Sequence, residues 1–274
     1  VLRAAEPVSR NVMNARPKKS FGQHFLHEKR YIERIVSSIS PKPEDVVVEI
    51  GPGEGALTLP LLAAAGKLTA IELDTDLIPD LQARAAAVGE LRIVHSDVLK
   101  VDFTALAREL GAERLRIAGN LPYYISSPIL FHCVDHAAAI RDMHFMLQKE
   151  VVDRMAAEPG SKVYGRLSVM LQLACRVEPL FTVPPGAFRP PPKVDSAVVR
   201  LLPLPAEQRH DADPERVHAI VKAAFAQRRK TLGNALRQLM DAAAIEAAGI
   251  DPKARAETLA PLDFVRLAKV PTQA

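Results

Sequence analysis

The chain has 274 residues, 48% hydrophobic and 25% charged. That balance supports a sizeable core and excludes disorder as a description of the whole chain. No run approaches about 18 consecutive apolar residues, so no membrane-spanning helix is expected. The first twenty residues carry Arg3, Arg10, Arg16, Lys18 and Lys19 with no apolar block. That is unlike a secretory leader, and the cytoplasm is the default expectation. Cys133 and Cys175 show no Cys-x-x-Cys spacing and read as small core residues rather than a disulfide framework or a zinc ribbon. The net charge of +4 is uneven: residues 1–40 balance at +5, residues 41–205 at −3 and residues 206–274 at +2. Basic ends around a slightly acidic middle suit a polyanion lying across the molecule.

In chain order, apolar strand-like runs alternate with helical segments, the pattern of a largely parallel α/β sheet. The first strand is Val46–Ile50, followed by a glycine-rich turn and a helix-forming run from Ala56 to Ala65, which Pro60 should kink or shorten. Leu68–Ile71 is a second strand closing at Glu72, with a helix over about Leu77–Ala87. A third strand, Leu91–Val94, closes near Asp97. A fourth, Leu115–Ala118, closes at Gly119-Asn120, and a fifth lies near His144–Leu147. Helices are expected after it and at about Leu167–Cys175. Pro179–Leu204 reads as an antiparallel closing pair joined by a proline loop, and Leu202–Ala206 as a linker. Beyond it, Asp213-Pro214 starts a helix with an apolar stripe at Val217, Ile220, Val221, Ala224 and Phe225, and Thr231–Met240 repeats the pattern. Two units follow: residues 1–206, a basic arm plus a catalytic domain, and residues 207–274, a small all-helical domain.

Four places carry chemistry. Glu49-Ile50-Gly51-Pro52-Gly53-Glu54-Gly55 lies between a strand and a helix, where Gly51 and Gly53 let the backbone approach a ligand. A dinucleotide site needs the spacing G-x-G-x-x-G, whereas this is G-x-G-x-G with two carboxylates that would repel a pyrophosphate. It suits a ligand without phosphate and with some positive charge. Glu72 ends the second strand, where such folds place a carboxylate for ribose hydroxyls. Asp74 and Asp76 read as surface or capping groups. Asp97, ending the third strand, can accept from an adenine amine or cap the segment after it. The fourth is Asn120-Leu121-Pro122-Tyr123. The exocyclic amine of adenine is a poor nucleophile because its lone pair is delocalised into the ring. The Asn120 side-chain oxygen and the Leu121 carbonyl can each accept one of its hydrogens, steering the nitrogen toward a tetrahedral shape. Pro122 removes a competing N–H and stiffens the loop, and Tyr123 can stack on the base.

With Gln23-His24-Phe25-Leu26 ahead of these motifs, Val183–Phe188 and Pro192–Ser196 after them, and Phe225–Leu232 near the end, the sequence resembles the small-subunit ribosomal RNA adenine dimethyltransferases of the KsgA/RsmA type from about Lys18 to Leu267. The resemblance implies a class I S-adenosylmethionine-dependent methyltransferase: a Rossmann-like, seven-stranded α/β sheet with a small C-terminal helical domain. It implies transfer of four methyl groups to two adjacent adenosines of a small-subunit rRNA hairpin, with S-adenosylhomocysteine as product, no metal, and a role in subunit assembly. By matched position His24, Leu26, Gly51, Gly53, Glu72, Asp97 and Asn120 would contact the cofactor, although many relatives carry Asn where this chain has His24. Tyr123 and Phe188 would hold the flipped base between them. Arg228, Arg229 and Lys230, with Lys18 and Lys19, would meet RNA phosphates. A monomer is expected. Two rivals are a non-catalytic rRNA-binding assembly factor, which the intact box at Asn120 opposes, and a large-subunit rRNA methylase conferring antibiotic resistance, which the proline loop and the tail from Phe225 oppose. A nicotinamide dehydrogenase is disfavoured by the glycine spacing.

Overall fold

Residues 24–227 and 229–271 are described by a computed structural model, in which seven strands form one mixed sheet. The elements run β1 (Phe25–Leu26), α1 (Lys29–Ile39), β2 (Val47–Ile50), α2 (Thr58–Ala65), β3 (Lys67–Glu72), α3 (Ile78–Ala85), β4 (Glu90–His95), α4 (Phe103–Glu109), β5 (Leu115–Asn120), α5 (Ser126–Asp135), β6 (Ile140–Gln148), α6 (Lys149–Met155) and α7 (Arg166–Gln172). Then come β7 (Cys175–Val183), β8 (Phe188–Arg189), β9 (Ser196–Pro203), α8 (Pro214–Phe225), α9 (Leu232–Ala235), α10 (Ala242–Ala247) and α11 (Pro261–Lys269).

The sheet order is β4-β3-β2-β5-β6-β9-β7. The strands from β4 to β6 are parallel, and β9 pairs antiparallel with both β6 and β7. The parallel strands read as continuous apolar runs because helices cover both faces: Val47, Val48, Leu68, Ala70, Ile117 and Phe145 are all buried. Strand order reverses between β2 and β5. The crevice beyond the carboxyl ends of these two strands is therefore where a ligand fits in such a sheet.

Outside the main sheet, β1 and β8 form a two-stranded ladder, Phe25 opposite Arg189 and Leu26 opposite Phe188. His27 N–H adds a bond to the Ala187 carbonyl at 3.0 Å. This ladder draws residues 24–26 over the crevice as a strap. Two-residue strands carry too little pattern to be seen in sequence.

The helical end has its own core. Phe225 lies between Tyr164 and Phe264, with ring centroids 6.0 and 5.6 Å away, and Tyr164 donates its hydroxyl to the Leu259 carbonyl at 2.8 Å. Tyr164, Val169 and Leu173 thus share a core with Val217, Leu236 and Phe264. Asp213 caps α8 through the Glu215 N–H, as its Asp-Pro start implies.

Several boundaries differ from expectation. Cys175 opens β7 instead of ending a helix, and β9 runs through Pro203 into the expected linker. Pro203 is tolerated because it lies at the last position of its strand. Thr231–Met240 yields only the single turn α9, where Gly233 and Asn234 are weak helix formers and the Leu232 and Gly233 N–H groups bond to Ala254 and Pro252 carbonyls. Pro60 sits in the first turn of α2, the part of a helix that tolerates proline. Both cysteines are buried and unpaired.

Candidate active site

The crevice is lined by His24 and Leu26 from the strap, Gly51 and Gly53 after β2, Glu72 ending β3, Asp97 after β4, and Asn120, Leu121, Pro122 and Tyr123 after β5. The expected cofactor and box residues therefore converge, His24 and Leu26 from the strap and the others from the carboxyl ends of four adjacent strands. Gly53 has φ 56°, which favours glycine, and a Cβ there would lie 3.2 Å from the Phe25 ring, so the turn and the strap approach closely. At Gly119 a Cβ would stand 2.6 Å from the Ile50 carbonyl, which keeps β5 close beside β2.

Glu72 is 7% exposed. Its Oε1 accepts the N–H groups of Leu73 and Asp74, and its Oε2 that of Gly53. Asp74 accepts the Asp76 N–H and shapes the turn before α3; it is buried, not a surface group. Asp97 accepts the Leu99 N–H at 3.0 Å, so its capping role is real, and it lines the crevice as well.

Asn120 donates through Nδ2 to the His24 carbonyl at 3.2 Å. Leu121 uses its N–H on the Met146 carbonyl, which seats the box on β6. The Tyr123 hydroxyl pairs with Ser196 Oγ at 2.7 Å, and its ring lies 5.6 Å from that of His24. Burial pushes the Tyr123 phenol up from its ordinary value, with the Ser196 bond acting in the opposite direction. Ser196 is fully buried, so the last residue of the Pro192–Ser196 motif braces the box.

Phe188 is a correction. It is 2% exposed, lies in β8 opposite Leu26, and packs with Leu26, Val183 and Ala187 rather than lining the crevice. The pairing that holds the strap turns its ring into the core. The aromatic presented at the crevice mouth is Tyr124, 60% exposed and passed over in the sequence because it follows the recognisable box. Arg229 and Lys230 are exposed in the turn beyond α8, which ends at Phe225, so they are not part of that helix; Arg228, Lys18, Lys19 and Gln23 lie outside the described residues.

Glu49 acquires its significance from the tertiary structure. It is 1% exposed, lines the crevice, and its Oε2 has no hydrogen-bond partner among the described residues. Burial, with the like charge of Glu72 adding to it, pushes its carboxyl up to about 8. In sequence it read as one of two carboxylates, with Glu54, that make the glycine turn suit a ligand with positive charge. Among the described residues no group of three or more His, Cys, Asp or Glu is placed to hold a metal ion, and no helix is long and apolar enough to cross a membrane.

Residues 14–273 match the family model described as ribosomal RNA adenine dimethylase. The chain belongs to that family. Its similarity to the Ribosomal RNA small subunit methyltransferase A of Xanthomonas campestris pv. campestris strain B100 is 61% identity, covering 94% of this chain and 97% of the relative. The corresponding protein of Xanthomonas oryzae pv. oryzae strain PXO99A matches to the same extent. Among solved structures, a dimethyladenosine transferase from Plasmodium falciparum superposes with TM-score 0.76 at 26% identity, over 89% of this chain and 96% of that one. The 23S rRNA methyltransferase ErmE does so with TM-score 0.69 at 27% identity, over 89% and 98%. This dimethylase is thus a methyltransferase with the α/β fold of its family, and the sheet order described above is that fold.

Proposed function

We propose that this dimethylase transfers methyl groups from S-adenosylmethionine to the exocyclic amines of two adjacent adenosines in a small-subunit rRNA hairpin. The products are N6,N6-dimethyladenosines, and the reaction belongs to small-subunit assembly in the cytoplasm. The observation that carries the reading is the Asn120–Tyr123 box on the wall of the crevice at the strand-order reversal, in a chain of this family. Identity of 61% to small-subunit enzymes against 27% to a 23S rRNA enzyme favours the small subunit as substrate.

The residues present fit the cofactor. The orphaned Glu49 Oε2 belongs to a buried carboxyl that a cationic group beside it would ionise, and the Gly53 turn offers backbone where a Cβ would press on Phe25 at 3.2 Å. His24, Leu26, Gly51, Gly53, Glu72, Asp97 and Asn120 would hold it, with Glu72 toward the ribose and Asp97 toward the adenine amine. When bound, S-adenosylmethionine supplies a methyl carbon activated by a sulfonium.

The protein's own task is to position the amine. Asn120 Oδ1 and the Leu121 carbonyl accept its two hydrogens and aim its lone pair. As positive charge develops on the nitrogen, the same two oxygens stabilise it electrostatically. No strong general base is required, because the amine becomes acidic as it is alkylated. Tyr123, pinned by Ser196, forms a fixed wall for the extruded base, and Tyr124 meets the neighbouring RNA at the mouth. The helical segment 207–274, with exposed Arg229 and Lys230, contacts phosphates.

The test is methyl incorporation from labelled donor into unmethylated small ribosomal subunits, followed by mapping of the modified bases. Two adjacent dimethyladenosines in small-subunit rRNA are expected. Label confined to large-subunit rRNA would favour the antibiotic-resistance reading, and no label the assembly-factor reading.

A further inference from the structure

The box works only if Asn120 presents its oxygen, not its nitrogen, to the target amine. A side-chain amide is nearly symmetric in shape, and the reversed rotamer would set N–H groups against the N–H groups of the substrate. Something must select the orientation. The partner of Asn120 is the His24 backbone carbonyl, 3.2 Å away, which can only accept. It takes the amide nitrogen and leaves Oδ1 for the crevice.

That carbonyl is held in turn. His24 Nδ1 lies 2.8 Å from the Pro190 carbonyl, another obligate acceptor, so Nδ1 carries the proton and donates. The next residues pair with Arg189 and Phe188, and the His24 ring rests beside Tyr123, which is bonded to Ser196. Strap, box and the 187–196 segment therefore close into one ring of contacts, with residue 24 at the junction.

We infer that His24 is a positioning residue: its imidazole, anchored on Pro190, fixes the carbonyl that orients the Asn120 amide. The inference rests on the proposed role of Asn120 and adds to it. It assigns residue 24 an effect on the rate of transfer, separate from any contact with the cofactor.

The experiment uses the full chain, unmethylated small subunits and labelled S-adenosylmethionine, with cofactor affinity measured separately by calorimetry. His24→Ala keeps the backbone carbonyl but loses its anchor. It should lower kcat at saturating cofactor by about tenfold to a hundredfold, the scale on which small misplacements act, beyond any change in cofactor Kd, which calorimetry reads separately. His24→Asn restores a donor toward Pro190 and should recover most of the lost rate. Asn120→Asp, which keeps an acceptor oxygen but has no N–H for the His24 carbonyl, should be as inactive as Asn120→Ala. A His24→Ala enzyme with full kcat, a loss confined to cofactor Kd, or an active Asn120→Asp enzyme would each overturn the inference while leaving the box reading intact. An active Asn120→Ala enzyme would overturn both.

Discussion

Glu72 Oε2 accepts the backbone N–H of Gly53 at 3.2 Å, so the carboxylate that ends β3 also holds the glycine turn that follows β2. Its other oxygen is fixed by the N–H groups of Leu73 and Asp74. The carboxylate is therefore in place before any ligand arrives, and no ordering is required of it on binding. Glu72→Ala should weaken S-adenosylmethionine binding by about tenfold to a hundredfold, the scale of one or two hydrogen bonds to a charged group. RNA affinity should be unchanged. Calorimetry giving equal cofactor affinity would remove Glu72 from the ribose.

Asn120 stands at the end of β5, half-buried, with its side chain in the crevice rather than in the core. Asn120→Ala should consequently leave the circular dichroism spectrum and the melting temperature nearly as they are. Methyl transfer should fall by about a hundredfold to a thousandfold, as when one preorganised charge-stabilising group is deleted. Unchanged turnover would defeat the proposed chemistry.

Glu49 sets a pH dependence. Its carboxyl is raised to about 8 in the folded protein, by burial first and by Glu72 second, from an ordinary 4.5. Between these values the folded chain holds a proton that the unfolded chain has released, so stability contributed by this group is complete below the lower value and is lost as pH rises through the upper one. The cofactor-free protein should melt at progressively lower temperature from about pH 5 to about pH 9, and Glu49→Gln should flatten that slope. A cation in the crevice favours the ionised carboxylate. Affinity for S-adenosylmethionine should therefore rise over the same range with proton release, more than affinity for S-adenosylhomocysteine, whose sulfur is neutral. Parallel profiles for the two ligands would separate Glu49 from the sulfonium.

At the opposite end of the sheet, Arg116 is clamped between two acids. Its Nε lies 3.1 and 3.0 Å from the two Asp142 oxygens, its Nη1 2.6 Å from Asp45, and its Nη2 donates to the Ile39 carbonyl at the end of α1. Burial alone would raise both carboxyls. The Arg116 bonds to Asp45, and His144 3.5 Å from Asp142 together with the Arg116 bonds to it, outweigh burial and hold both below the usual carboxylate range. Arg116→Met should cost about 3 kcal/mol, because Asp142 loses its bidentate partner and Asp45 keeps only Arg141, 2.9 Å away. Urea denaturation measures this, and an unchanged midpoint would mean that the clamp contributes nothing net.

Much of the site was legible in the chain because its chemistry is local. Gly51 to Gly55, Glu72, Asp97 and Asn120 to Tyr123 each follow a short apolar run, and parallel strands bring such ends to one edge of a sheet. Phe188 misled for the opposite reason. An aromatic in a proline loop reads the same whether it faces a crevice or a core, and the choice was made by its pairing with Leu26. Tyr124 looked unremarkable in sequence, and Glu49 read there only as one of two carboxylates beside the glycine turn, because exposure at a mouth and an oxygen left without a partner are properties of surroundings.

By itself, then, the amino-acid sequence determined the α/β rhythm, the glycine turn, the carboxylates at the strand ends and the Asn120–Tyr123 box, since all of these depend on neighbours within a few residues. Tertiary structure alone decided what meets what: the strap on Arg189 and Phe188, the His24 carbonyl on Asn120, Ser196 on Tyr123 and Arg116 between its acids. Those partners lie from 26 residues apart, for Arg116 and Asp142, to 96 for Asn120 and His24 and more for the strap. Periodicity and turn chemistry carry no information over such separations, and only closure of the sheet and packing of its loops bring the groups within bonding distance.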